Sequence, residues 1–164
     1  MKRKKIILLV MALLLLALLV ELFYKACIDS GRFEYDLEQQ AFVSRSGWDA
    51  VGLGLYISNC DSLEDSYLIK RKDDSHASHP SLRLDSIPAG YTVKCMGVFG
   101  QKASLLEDRI RRTRRITLLP DSRYEIVRSR GCMGSAYIHV RTDARGRVVE
   151  ASDASIRPDS LCQQ

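Results

Sequence analysis

Hydrophobic positions change their period along this chain: an uninterrupted block near the start, alternation by twos through most of the rest, and one short stretch at helical spacing. Residues 6–20 are fifteen consecutive apolar residues, and reading on through Leu22, Phe23 and Tyr24 extends the run to nineteen, with Glu21 as its one charge. A helix of roughly 20 such residues, rising ~1.5 Å each, crosses a hydrocarbon core about 30 Å thick. Twelve of the fifteen are Leu, Ile or Val. Each contributes about 0.3 to 0.6 kcal/mol near the bilayer centre, and together they exceed the ~3 kcal/mol that a carboxylate costs at midplane. Glu21 sits near the far end, where that cost is smaller. The pattern predicts a basic stub over 1–5 and a transmembrane signal anchor over 6–24, with the lipid bilayer as a partner through those residues.

Two features bear on whether the anchor is kept and which way it points. Cleavage favours small residues in an A-x-A arrangement, whereas Tyr24, Lys25 and Ala26 stand ahead of Cys27. The anchor is therefore expected to be retained, with Cys27 at the membrane surface, open to lipidation or to pairing between chains. Lys2, Arg3, Lys4 and Lys5 precede the span and Lys25 alone closely follows it. Because cations stay on the cytoplasmic side, the amino end is expected inside and the body outside, in a periplasmic or extracellular space.

After the anchor, residues 25–47 are charged and only intermittently apolar and read as a tether. The domain proper is expected from Trp48 to residue 151, with a polar tail over 152–164. Val51, Leu53, Leu55 and Ile57 alternate with Gly52, Gly54, Tyr56 and Ser58, as a strand with one buried face does. Shorter strands are predicted over 67–70, at Leu82 and Leu84, over 91–99 and over 124–127. Ala136, Ile138 and Val140 then lead through Asp143-Ala144-Arg145-Gly146 into a return strand, the clearest hairpin in the chain. Ser104 and Glu107 have capping-box spacing, and Leu106 and Ile110 fall on one face, which predicts a helix over 104–114. Short strands separated by frequent turns predict a mainly β fold, an antiparallel β-sandwich of Ig-like type with one short helix, preceded by the transmembrane helix.

Charge must be read on the body alone. The net charge of +5 falls to +1 once residues 1–27 are set aside, so whole-chain charge gives no ground for a nucleic-acid partner. The body is nonetheless polarised: residues 28–85 carry 11 acids and 6 bases, residues 86–164 carry 8 acids and 14 bases. The densest basic feature is Arg109, Arg111, Arg112, Arg114 and Arg115, which on a helix would present guanidinium groups to an anionic polymer or a partner protein. No stacking aromatics interleave with them, as single-stranded nucleic acid would require. Cys60, Cys95, Cys132 and Cys162 are an even set, and in an oxidising compartment they are disulfide candidates with three possible pairings, Cys60 with Cys95 among them.

Two local constellations carry candidate chemistry. Asp73, Asp74, His76 and His79 share a polar loop, but two imidazoles without further ligands read as a solvated loop, and no metal or cofactor is expected. Ser129-Arg130-Gly131-Cys132-Met133-Gly134 resembles the Ser-(His)-Gly-Cys loop of the L,D-transpeptidases, exported enzymes that cross-link peptidoglycan through a cysteine nucleophile. The resemblance implies a thiol-dependent cell-wall enzyme using Cys132. Where that family places its activating histidine this chain has the arginines at 112–115, with no histidine between His79 and Cys132. The sequence therefore favours a non-enzymatic, membrane-anchored extracytoplasmic interaction module that binds a protein or an envelope component. The thiol enzyme and anionic-polymer recognition at 109–115 are the alternatives.

Overall fold

The computed structural model describes residues 2–29, 33–45, 47, 49–62, 64–73, 78–129 and 135–155. Among these, two helices and nine strands are present. Helix α1, Lys2–Asp29, is followed by β1 (Phe33–Asp36), β2 (Ala41–Ser44), β3 (Gly54–Asn59), β4 (Tyr67–Arg71), β5 (Ser81–Arg83) and β6 (Tyr91–Cys95). Helix α2, Gly100–Thr113, precedes β7 (Arg123–Ser129), β8 (Ser135–Thr142) and β9 (Val148–Ala151).

Every strand pairing is antiparallel, in a three-stranded sheet of order β1-β2-β5 and a six-stranded sheet of order β6-β4-β3-β7-β8-β9. The register explains why the alternating positions were predictive. Side chains directly opposite on neighbouring strands share a face. The pairs Cys95 with Tyr67, Tyr67 with Ile57, Ile57 with Ile126 and Ile126 with Ile138 therefore make one row across five strands. Leu55, Ile57, Tyr124, Ile126 and Ile138 in that sheet are fully buried.

What covers this face is the smaller sheet, of which the sequence predicted β5 but not β1 and β2. Residues 33–44, expected to lie in the tether, form the hairpin β1–β2, and Phe33 and Phe42 are buried in the same apolar cluster as Leu55 and Ile126. Their rings stack at 5.8 Å between centroids, and Tyr35 meets Phe42 edge-on at 4.9 Å. Burying each phenylalanine is worth about 1.5 to 3 kcal/mol, and each aromatic pair adds about 0.5 to 1.5. The guanidinium of Arg128, itself buried on β7, lies 5.5 Å from the Phe33 ring centre and donates to the Asp49 carbonyl, joining the two sheets. Strands β1 and β2 thus share the apolar cluster of the body; Trp48, the expected boundary, lies outside the described residues.

Three further expectations are corrected. Gly52 turns the chain with φ of 64°, so Leu53 leaves the alternation and is 65% exposed, and β3 starts at Gly54 rather than near Val51. Helix α2 begins a turn earlier than the Ser104–Glu107 spacing implied, at Gly100, behind an extended Phe99 that supplies no side-chain cap. Ser104 instead hydrogen-bonds back to the Gly100 carbonyl, and Glu107 is drawn away to β6. Residues 152–155, expected in the tail, continue along β8: the Ser152 N–H donates to the His139 carbonyl and Ser155 bridges Tyr137.

Helix α1 stands apart in character. Ile7 and residues 10–22 are exposed, their large apolar side chains at 49 to 64%. Among the described residues no helix is long and apolar enough to cross a membrane; the side chains of residues 2–6, 8, 9 and 23–29 lie outside them.

The predicted β8–β9 hairpin forms. Its turn rests on Gly146, with φ of 74°, where an added Cβ would lie 2.4 Å from the Leu118 carbonyl oxygen. Gly146→Ala is therefore expected to cost about 2 kcal/mol or more, from left-handed backbone strain and the clash together. Chemical unfolding of the detergent-solubilised chain measures it, and an unchanged midpoint would contradict the turn geometry.

Candidate functional site

Helix α2 carries the arginine run to the edge of the large sheet. Arg111 pairs with Asp108 at 2.7 Å. Arg114 terminates the helix in the left-handed region, with φ of 56°, and its guanidinium donates to the carbonyls of Ile87 and Pro88. Arg115 donates to the Asp85 carbonyl at 3.1 Å. Arg109 and Arg112 are exposed and, among the described residues, make no side-chain ion pair. The run is thus divided: two arginines fasten the helix end to the β5–β6 connection, one pairs along the helix, and two face solvent. Sequence spacing placed the cations on one segment and the helix end within a residue of Thr113, but could not show that backbone carbonyls take up Arg114 and Arg115.

Strand β6 is an edge strand, and α2 packs along it. Pairing with β4 directs the backbone of Thr92 and Lys94 inward, flanked by bonds from Lys72 N–H to the Gly90 carbonyl and from Met96 N–H to the Ser66 carbonyl. Alternation then turns the N–H and C=O of Val93 and Cys95 outward. Glu107 accepts the Cys95 N–H at 2.9 Å, so the helix shields one outward donor in the way proteins protect sheet edges. Beside Val93 a cleft of about 300 Å³ remains between strand and helix, with Tyr91, Val93 and Ile110 at its base and Lys72, Lys94 and Arg111 at its rim. Lys72 and Lys94 have no ion pair among the described residues, whereas Asp108 and Glu107 are both engaged. Chemically, such an edge suits an extended segment with acidic side chains.

The cysteines divide differently from the expectation. Among the described residues no two lie at disulfide distance: Cys95 is a free thiol, which removes the Cys60–Cys95 pairing, while Cys60 is disulfide-bonded outside them. Burial, then the carboxylates of Glu107 and Asp65, push the Cys95 thiol above its ordinary pKa, so it is a poor nucleophile at neutral pH. Cys132 and Cys162 lie outside the described residues, as do Arg130, Gly131, Met133 and Gly134, and with them the peptidoglycan-enzyme resemblance. His76 and Asp74 also lie outside. His79 is half-buried with its ring 5.7 Å from that of Tyr91. Among the described residues no group of three or more metal-ligating side chains assembles. His139, on β8 between the buried Ile138 and Val140, is half-buried, and its Nε2 has no partner among the described residues.

Two buried carboxylates escaped sequence reasoning. Asp65 accepts hydrogen bonds from the hydroxyls of Tyr67, at 2.6 Å, and Tyr124, and the latter hydroxyl also accepts the Leu119 N–H at 2.7 Å. Asp49 accepts from the Tyr91 hydroxyl at 2.7 Å and from the Val51 N–H at 2.8 Å. Desolvation first, then the adjacent carboxylate, raises the pKa of all three tyrosines, so they remain protonated donors. These are pins that tie loops to strands. Only the short Asp65–Tyr67 spacing hinted at either. Comparison with protein-family models, with curated proteins and with solved structures finds no match.

Truncating Asp65 leaves two buried hydroxyls without their acceptor. Asp65→Ala is expected to cost about 2 to 4 kcal/mol in chemical unfolding, and Tyr67→Phe about 1. A cost for Asp65→Ala within ~0.5 kcal/mol, typical of a surface position, would contradict the pinning role.

Proposed function

We propose that this protein is a membrane-anchored, extracytoplasmic interaction module: a β-sandwich of Ig-like layering, three strands on six, tethered by α1 and binding a protein or an envelope component along the β6 edge. The observation that carries the reading is the composition and exposure of α1. Its described Leu, Ile and Val side chains, at Ile7 and within residues 10–22, stand exposed instead of joining the apolar cluster of the body, and lipid would satisfy them where water does not. Further support comes from the disulfide at Cys60, which fits an oxidising compartment, and from the cations ahead of residue 6, which favour a cytoplasmic amino end. Tethering raises the effective concentration of the body near other membrane components, so a modest cleft beside Val93 is sufficient for recognition there.

Alkaline extraction and protease protection of the full chain, synthesised into sealed membrane vesicles, test this directly. The expected outcome is a chain of undiminished length that stays with the membrane pellet, with residues 33–155 protected inside the vesicle. Release of the chain by alkali, or cleavage of the body from the outside, would overturn the reading.

A further inference from the structure

A second cleft, of about 420 Å³, opens between the β1–β2–β5 sheet and the β8–β9 turn, and arginines line it as well. Its base is apolar, from Leu84, Ile116, Leu118 and Val148. Around it stand Arg83, Arg145 and Arg147. Arg83 is committed: it makes a two-point pair with Asp85, at 2.9 and 2.7 Å. Arg145 and Arg147 are not. Their backbone N–H groups both donate to one carboxylate oxygen of Asp143, at 2.8 and 2.9 Å, which fixes the turn, while neither guanidinium has an ion pair among the described residues.

The cleft also holds a buried donor with a poor partner. Tyr35 is 9% exposed, and its hydroxyl lies 3.4 Å from Gln40 Oε1, well beyond the usual ~2.7 to 2.8 Å for such a bond. Gln40 cannot swing closer, because its amide nitrogen is held by the carbonyls of Leu37 at 2.7 Å and Val148 at 2.9 Å. Two uncommitted cations and an under-used hydroxyl over an apolar base form a site complementary to a negative oxygen group. The acids that share the lining are Asp85, neutralised by Arg83, and Glu38, and against Glu38 stand both Arg145 and Arg147, which leaves the surplus positive.

We propose that this cleft binds a ligand bearing a carboxylate or phosphate group, with Arg145 and Arg147 as its ionic partners and the Tyr35 hydroxyl as its hydrogen-bond donor. The site differs from the β6 edge and does not depend on how the chain is anchored.

Calorimetric titration of the full detergent-solubilised chain at low ionic strength, with glucuronate and separately with inorganic phosphate, provides the test. Saturable binding of glucuronate supports the site with a carboxylate source, and of phosphate with a phosphoryl source. In either case Arg145→Gln with Arg147→Gln weakens affinity about tenfold or more, and Tyr35→Phe about three- to tenfold. Arg109→Gln with Arg112→Gln, on α2, leaves it unchanged. Tyr35→Phe keeps its ring within the apolar cluster, the arginine changes lie outside it, and an unaltered thermal unfolding curve confirms folding. Saturation by neither anion, or equal weakening by the α2 pair, overturns the proposal.

Discussion

The fold depends on covering one face of a six-stranded sheet. Leu55, Ile57, Ile126 and Ile138 present a continuous apolar surface across β3, β7 and β8, and such a face must be taken out of water for the sheet to exist. The β1–β2 hairpin, with β5 beside it, supplies the cover through Phe33, Phe42 and Leu82. Arg128 couples the layers by lying under Phe33 while holding the Asp49 carbonyl. Helix α2 contributes at one end only, where Ile110 is buried and Leu106 packs partly against the same cluster.

From that arrangement follow the places where chemistry is available. At one edge of the large sheet, α2 shields β6 incompletely and leaves the Val93 backbone beside two lysines. At the other, Gln40 reaches from the small sheet to the Val148 carbonyl, and the gap around that contact is the arginine-rimmed cleft. Both openings arise where the layers differ in extent. The acidic half of the chain is spent largely inside the fold or in local pairs, Asp49 and Asp65 on tyrosines, Asp61 on Arg123 and Glu64 on Lys102. The basic half keeps uncommitted charge at Arg145 and Arg147, so the polarity read in the sequence becomes a difference in what each half offers to solvent.

How much of this was legible can be argued strand by strand. Ile126 and Ile138 were readable because strict alternation over several residues has few explanations besides a half-buried strand, and Asp143 and Gly146 marked the turn between β8 and β9. Residues 33–36 and 41–44 were not. Each has four residues, set among charges that give the whole of 25–47 the composition of a tether. Ser104 and Glu107 had the right spacing for a helix start, yet the outward N–H of Cys95, contributed by tertiary structure, was the stronger claim on Glu107. The division of the arginine run was illegible for a related reason: carbonyls of the β5–β6 connection took up Arg114 and Arg115, and nothing local announces them. Sites made from distant segments, such as Tyr35 with Arg145 and Arg147, left no motif at all.

Native-state hydrogen exchange on the full chain tests the central claim most directly. If β1 and β2 close the core, their hydrogen-bonded amides open only with global unfolding, and their protection equals that of the inner strands β3 and β7. Amides of residues 33–44 that exchange at the rate of an unstructured tether, while β3 and β7 stay protected, would contradict the account.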